Sequence, residues 1–530
     1  MSRPVREIVH GLLTDRGVTH VYGNPGSTEM RFFRDLPDGL TYVVGLQEAS
    51  VVAMADGHAR VAGGVGIAMV HSASGLGNAL GSLYTAERNG TPLVVLAGQQ
   101  SRSLLPHAPY LHARDAASFP RPYVKDAVEP AQAQDVPEMI AQAMDLAAAS
   151  PAGPVFVSVP EDDWDATGRE VAPRRTTRAV APADDALAAV AADLTDARRP
   201  ALVLGGRIRP DDAGAAVALA GSVGARVYVA PLADRSPFPE NERHFAGFLP
   251  PVAAGVRATL APHDVVLVAG APVFTFHVPS EGAAVADGTT LWHITDDPRE
   301  AARALAGTSL VVPPGAALAA LARLCAGAIP AVVPALDRPG TPAHAVPPSP
   351  EEVLAALSAV LPAHARIVEE APTHRNAMHD HLPIRGGQDF HVAASGGLGW
   401  GMPASVGMAI AEPGRPTLCL IGDGASLYSI QALWTAARHN ATVVFVVLDN
   451  GGYAAMKAFG HLLDVPDAPG LDLPGVDLPQ IARGFGAAAV TADTAGDAVA
   501  AVERGFAASG PTLIRIQVGP AVGALYRRLP

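Results

Sequence analysis

Fully apolar runs of strand length recur along the chain, and helix-length segments with an apolar period near 3.6 separate them. This alternation constrains the fold strongly, because consecutive βα units assemble into parallel, doubly wound sheets. The plainest unit lies at 417–450. Residues 417–421 read as a buried strand, Gly422-Asp423-Gly424 as its tight exit, Ile430, Leu433, Trp434 and Ala437 as one helical face, and 443–448 as the next strand. Asp423 stands at one strand end and Asn450 at the other. Such units bind ligands at the carboxyl ends of their strands, where helix N-termini also favour phosphate. Asp423, Asn450 and a nearby backbone carbonyl can offer oxygens to a hard cation, so the stretch points to a Mg²⁺-diphosphate site. Each half alone is also ordinary turn chemistry.

The same alternation appears in two earlier blocks. The first predicts a helix over 5–16, a strand over 18–22, the loop Gly23-Asn24-Pro25-Gly26-Ser27, a strand over 42–45, a helix over 48–61, and a strand over 66–70. A helix over 78–88 and a strand over 93–97 follow. The second block has strands near 201–205, 227–230, 265–269 and 291–294. Its Gly205-Gly206 turn lacks the full Gly-x-Gly-x-x-Gly and the distal acid of a dinucleotide fingerprint, so this block reads as chiefly structural. Segments 162–184 and 326–350, dense in Pro and Ala or charge, read as linkers. The expected domains are therefore 1–180, 181–340 and 341–530, the first and third looking like copies of one architecture.

At 530 residues the chain is too long for one core, and 49% apolar residues can fill three. The net charge of −13 speaks against a nucleic-acid partner or an anionic membrane surface. Cys325 and Cys419 are the two cysteines, both in apolar surroundings, so neither a disulfide framework nor a cysteine metal site is indicated. A reducing cytoplasm is the default location. No signal-peptide pattern opens the chain, and no apolar stretch reaches the ~18 residues of a membrane span.

Several residues could carry chemistry. Glu48 begins a helix among apolar neighbours. It is either an acid favourably placed at a helix N-terminus or a buried carboxyl able to exchange a proton with a nitrogen heterocycle. His71 ends an apolar strand, the usual place for functional groups in α/β enzymes, and a satisfied structural His fits as well. His277, in Phe274-Thr275-Phe276-His277, has aromatic neighbours that suit a packed core His too. Ser27 lacks a Gly-x-Ser-x-Gly elbow, so it suits hydrogen bonding better than nucleophilic attack. The run 393–403, with Gly396, Gly397, Gly399 and Gly401 around Leu398, lets backbone approach a ligand closely.

Together these motifs resemble the thiamine-diphosphate-dependent 2-oxo acid decarboxylases, and within them the benzoylformate decarboxylase type. The likeness includes Gly23-Asn24-Pro25-Gly26-Ser27, Leu46-Gln47-Glu48-Ala49, His71-Ser72-Ala73, Ala97-Gly98-Gln99-Gln100, Pro120-Arg121-Pro122, Gly270 to Phe274 with His277, Gly396-Gly397-Leu398-Gly399, and Gly422-Asp423-Gly424 through Asn450-Gly451-Gly452-Tyr453. It implies a lyase of three doubly wound parallel-sheet α/β domains: pyrimidine-binding, middle Rossmann-like, and diphosphate/Mg-binding. Thiamine diphosphate would be the cofactor, with Mg²⁺, or Ca²⁺ as a substitute, on Asp423, Asn450 and the Gly452 carbonyl. Gly396, Gly422, Gly424, Ala425, Ser426 and Tyr453 would line the cofactor, and Leu398 would wedge it into its bent form. Glu48 would exchange a proton with the pyrimidine of a cofactor whose diphosphate another subunit holds, so at least a dimer, commonly a tetramer, is implied. Ser27 would orient the substrate carboxylate, and His71 and His277 would relay protons.

The implied substrate is an aromatic 2-oxo acid such as benzoylformate, converted to the aldehyde and CO₂. A carboligase of the acetolactate synthase type, or a decarboxylase of another aryl or branched 2-oxo acid, is the alternative. The expected substrate pocket comprises Ser27, Tyr110, Leu111, Val392, Met456, Phe459 and Leu471. Tyr110 and Met456 stand where the family has Leu, Val392 where it has Phe, Pro372 and Gly452 where it has Thr, and Asp449 where it has the first Asn of a pair.

Overall fold

The computed structural model describes residues 3–172, 182–327 and 332–519, and within them the apolar runs form three six-stranded sheets. The first contains β1 (His20–Gly23), β2 (Thr41–Val44), β3 (Gly66–Val70), β4 (Leu93–Gln99), β5 (Ala127–Val128) and β6 (Pro154–Pro160), in the order β2-β1-β3-β4-β6-β5. The second contains β7 (Pro200–Leu204), β8 (Arg226–Val229), β9 (Phe245–Phe248), β10 (Val265–Ala269), β11 (Thr290–Thr295) and β12 (Thr308–Val311), in the order β12-β11-β10-β7-β8-β9. The third contains β13 (Arg366–Glu370), β14 (Asp389–Val392), β15 (Thr417–Gly422), β16 (Val443–Asp449), β17 (Ala488–Ala492) and β18 (Thr512–Gln517), in the order β14-β13-β15-β16-β18-β17. Neighbouring strands pair in parallel in all three. The first and third sheets thus share one strand order, as the sequence suggests, and the second has another. Strands β3, β4, β7 and β10 are buried at every residue, which is why they read as unbroken apolar runs.

The outer domains pack directly on each other. Helix Glu48–Ala62 of the first crosses helix Gly401–Ala411 of the third with almost no side chain between the backbones. A Cβ on Gly57 would lie 2.2 Å from the Ala404 carbonyl oxygen, and one on Gly407 would lie 2.0 Å from that of Met54. One apolar cluster accordingly joins Val51, Met54 and Leu83 to Met402, Val406 and Leu433.

A buried polar junction ties in the middle domain. Arg60 donates to Asp234 at 2.7 Å and lies over the Trp400 ring, while Asp56 accepts from Asn89, Thr91 and the Trp400 indole. Asn89 in turn accepts the Ala394 amide, at the edge of the glycine-rich run.

Some local expectations need correction. The helix expected from residue 78 begins at Ser72, directly after His71, so the small-residue stretch is its first turns. In 423–438 a short helix at Asp423–Ser426 precedes helix Ala432–Arg438, whose buried residues are Ala432, Leu433, Thr435 and Ala436; Trp434 and Ala437 are half-exposed. A chain that turns twice shifts the buried face away from a single helical period. The first linker starts later than composition suggests, because the turn Glu161–Asp165 buries Trp164 in the first domain's core. The remainder of both linkers falls partly outside the described residues, at 173–181 and 328–331. Among the described residues no helix is long and apolar enough to cross a membrane.

Candidate active site

The carboxyl end of the first sheet gathers one cluster. His71 follows β3 and caps helix Ser72–Asn89, with its Nδ1 3.0 Å from Glu29 Oε2. Glu29 is 2% exposed; its Oε2 also accepts the Gly26 amide and its Oε1 the Thr28 hydroxyl. A carboxylate can only accept, so Nδ1 carries the proton and the other ring nitrogen is left for chemistry. The hydrogen bond and charge of Glu29 raise the His71 pKa above its ordinary value, against the opposing effect of burial. Gly26 and Gly98 make this packing possible. A Cβ on Gly26 would lie 2.1 Å from His71 Nδ1, and one on Gly98 would lie 2.0 Å from Glu29 Oε1.

Glu48 opens its helix as expected, half-buried, and its Oε2 accepts from Asn78 at 3.1 Å. Gly75, without a side chain, leaves room for the same carboxylate: a Cβ there would sit 3.1 Å from Oε1. Ser27, exposed, starts the turn Ser27–Phe33 that carries Glu29.

The third sheet gathers the other cluster. Asp423 follows β15, is 6% exposed, and its pKa is raised to about 6 by burial first and the nearby Asp449 charge second, with bonds from the Gly424 and Gly452 amides opposing the rise. Asn450 follows β16; its Nδ2 lies 3.2 Å from His374 Nε2, and its Oδ1 is buried without a hydrogen-bond partner. An orphaned amide oxygen next to a carboxylate destabilised by burial is an arrangement that a cation would relieve. Gly452 has φ 149°, and a Cβ on it would lie 2.2 Å from the Leu471 carbonyl oxygen, so only glycine fits here. The Tyr453 ring covers Gly424, and the Ser426 hydroxyl donates to the Asp423 carbonyl. Among the described residues no group of three or more His, Cys, Asp or Glu could hold a metal, so the donors on offer are mixed oxygens.

The comparisons run the length of the chain. The thiamine pyrophosphate enzyme N-terminal TPP binding domain matches residues 3–118, the central domain 187–321, and the C-terminal TPP binding domain 371–516. The chain belongs to the thiamine pyrophosphate enzyme family. It is 40% identical over 520 residues to the benzoylformate decarboxylase of Pseudomonas aeruginosa, covering 97% of this chain and 98% of that one. The thiamine diphosphate-dependent 4-hydroxybenzoylformate decarboxylase of Rhodococcus jostii RHA1 superposes with a TM-score of 0.94 at 38% identity, over 98% of this chain and 99% of that one. For benzoylformate decarboxylase from Polynucleobacter necessarius the TM-score is 0.93 at 36% identity, over 98% and 99%.

In this thiamine pyrophosphate enzyme the expected pocket residues are only partly together. His277, exposed, meets the Phe459 ring edge-on at 5.2 Å, joining the middle domain to helix Ala454–Leu462; Met456, 45% exposed, precedes Phe459 by one turn. Leu471 is half-buried beside the cofactor-site candidates, its carbonyl accepting the Tyr453 amide at 2.8 Å. Leu111 is tied to the His71 region, its carbonyl accepting from the Ser72 hydroxyl at 2.5 Å, and Tyr110 beside it is 86% exposed. Val392 ends β14 and packs inside the third domain's core.

Three residues of this family member escaped the sequence reading. Glu29 orients His71. Glu370, 4% exposed, accepts the Gly399 and Gly401 amides on its two oxygens and so fastens the loop that carries Leu398; burial raises its pKa to about 7. His374, 4% exposed and lowered to about 4 by burial, is a neutral ring against Asn450. For Glu370 a signal was present, since two acids ending an otherwise apolar strand, Glu369-Glu370, require partners.

Proposed function

We propose that this thiamine-diphosphate-dependent 2-oxo acid decarboxylase takes an aromatic substrate, benzoylformate or a close analogue, and releases the aldehyde and CO₂. The observation that carries the reading is the pair of held imidazoles: His71 locked by Glu29 and His277 set edge-on against Phe459, on two different domains. The net reaction takes up one proton at the 2-keto carbon, and the keto oxygen gains and loses one in passing. His71 and His277 are the groups that hold these protons. Ser27 orients the substrate carboxylate, and Phe459 with Met456 gives an aryl group an apolar wall.

Thiamine diphosphate, when bound, supplies the electron sink for decarboxylation. Asp423, the Asn450 amide oxygen and the Gly452 carbonyl would hold Mg²⁺, and Gly422, Gly424, Ala425, Ser426 and Tyr453 would surround the diphosphate. Gly396 and Leu398 would pack along the cofactor, and Glu48 would hold a proton at its pyrimidine nitrogen. Glu48 and Asp423 belong to different domains, and a homo-oligomer, a dimer at least and a tetramer in the fullest form, would bring one copy's first domain to another's third.

The two protonatable rings also favour decarboxylation over carboligation, since they deliver the proton that ends the cycle before a second carbonyl adds. The test is to incubate purified protein with benzoylformate, 4-hydroxybenzoylformate, pyruvate and branched 2-oxo acids, with and without thiamine diphosphate and Mg²⁺. Cofactor-dependent CO₂ and aldehyde from the aromatic acids support the proposal. Preference for pyruvate with a ligated product supports the carboligase reading instead.

A further inference from the structure

An asparagine can serve a hard cation with only one end of its amide. The oxygen binds metal, the NH₂ repels it, and rotating the amide by half a turn exchanges the two. Whichever group anchors the nitrogen therefore decides whether Asn450 is presented as a ligand. Here that group is His374: its Nε2 lies 3.2 Å from Asn450 Nδ2, and Oδ1 is left buried with nothing to accept from. A ring nitrogen that accepts from NH₂ presents a lone pair, and the turned amide would set its oxygen against that lone pair. With its proton on Nδ1 the ring thus holds one orientation and disfavours the other; with the proton on Nε2 the preference reverses, so an amide oxygen aimed at the metal requires the Nδ1–H tautomer.

The fold keeps the imidazole in place. Strand β13 leads through Ala371 into the turn Pro372–His374, where Pro372 needs no amide partner and the His374 amide donates to the Ala371 carbonyl at 2.8 Å. The turn packs on helix Ala454–Leu462, directly after the Asn450-Gly451-Gly452 turn, and the ring is 4% exposed. A buried ring on a short, closed turn loses little freedom when it holds its partner.

We propose that His374 is a positioning residue: by accepting from the Asn450 amide nitrogen it aims the amide oxygen at the metal site before the cation arrives. The proposal rests on the Mg²⁺ reading above and goes beyond it by assigning a residue that does not touch the metal.

The test measures Mg²⁺ binding to purified full-length protein with saturating thiamine diphosphate, by equilibrium dialysis, for the parent, His374→Leu and His374→Gln. Loss of an outer partner of this kind raises a metal Kd by about 10–100-fold, and His374→Leu is expected in that range. His374→Gln, whose side-chain oxygen can accept from the same NH₂, is expected to return the Kd close to the parent's. Without metal His374→Leu, which leaves the Asn450 NH₂ unpaired, should melt somewhat below His374→Gln, so the Mg²⁺ Kd is measured where both variants are folded. An unchanged Kd in His374→Leu, or equal weakening in both variants, overturns the proposal and leaves the Mg²⁺ reading intact. A parent that binds no Mg²⁺ overturns both. Should His374→Leu fail to fold, a high-resolution metal-bound structure of the parent decides: Oδ1 on the metal with Nδ2 at hydrogen-bond distance from His374 supports the proposal, and the reverse orientation overturns it.

Discussion

At the carboxyl ends of β7 and β10 a crevice of about 350 Å³ opens beside Gly205, Gly206, Gly270 and Arg207; at the ends of β15 and β16 stand Asp423 and Asn450. Both are places where parallel α/β sheets bind ligands. In the middle domain most charges are paired internally, although Asp296 Oδ1 is buried without a hydrogen-bond partner. Arg207 reaches Glu300 at 3.0 Å, with Asp296 and Asp297 at 3.7 and 3.8 Å, and Arg299 takes Asp297 at 3.3 Å. Asp234, bound to Arg60, crowds the turn so closely that a Cβ on Gly206 would lie 1.6 Å from its Oδ1. In the third domain the corresponding place keeps a partnerless amide oxygen and a carboxyl raised to about 6. One crevice answers its buried charges mainly with other side chains of the chain, and the other leaves an amide oxygen and a carboxyl for a ligand, although both grow from the same kind of βαβ unit.

Asn450→Leu gives the largest effect expected from this difference. Removing a ligand oxygen should weaken Mg²⁺ by more than the ~10–100-fold that an outer partner is worth, and cofactor-dependent CO₂ release should fall with it. Stability should change little, because the gain from removing an unsatisfied buried oxygen is set against the loss of the Nδ2 bond to His374. Dialysis for Mg²⁺ and thermal melts of the cofactor-free protein check both halves. A loss of stability well beyond the about 1–3 kcal/mol that the broken His374 bond costs would show that the oxygen has an internal partner after all, and the contrast between the crevices would fail.

Arg207→Met is the mirror experiment. It takes the Arg207 charge from Asp296, Asp297 and Glu300, of which Asp297 keeps Arg299, and for a partly exposed network the loss should be about 1–3 kcal/mol, below the range for fully buried pairs. Mg²⁺ affinity should stay at the parent value. Urea unfolding read beside the same dialysis tests this, and weakened Mg²⁺ binding would mean that the middle crevice supports the cofactor site rather than standing apart from it.

The sequence made the sheets legible because parallel strands buried on both faces must be apolar throughout, and β3 and β10 coincide with the expected runs. It also located Asp423 and Asn450, since strand ends and glycine turns are local features. What it could not show were pairings across long separations. His374 and Asn450 are 76 residues apart and Glu29 and His71 are 42 apart, and no local pattern encodes either meeting. The helix start at Ser72 was hidden for another reason: Ser-Ala-Ser-Gly has loop composition, and only the burial of Ser72, Gly75 and Leu76 against the neighbouring elements makes it helical. Val392, expected at the pocket by resemblance, has its side chain in the third domain's core within this chain.

The first sheet extends the contrast to a third case, a buried carboxylate assigned to an imidazole rather than to an arginine or a cation. Glu29 raises the His71 pKa, so the folded protein holds the His71 proton more tightly than the unfolded chain does. The stabilisation from this pair is fully present below the unfolded His pKa, near 6.5, and is lost as pH rises through the folded value. Glu29→Gln removes the charge and keeps the shape. The His71 titration, followed by NMR, should move toward lower pH, and the limb of the pH profile for kcat/KM that reports this ring should move with it. The stability difference between parent and variant should be largest in acid, above the range where Glu29 itself takes up a proton, and shrink as the buffer becomes alkaline. This is the smallest of the three effects, because His71 is partly exposed and Glu29 retains the Gly26 and Thr28 donors whichever form the ring takes. An unchanged His71 titration would mean that the Gly26 and Thr28 bonds already hold the carboxylate as it would be held without the ring, and the Glu29–His71 contact would then be packing rather than proton control.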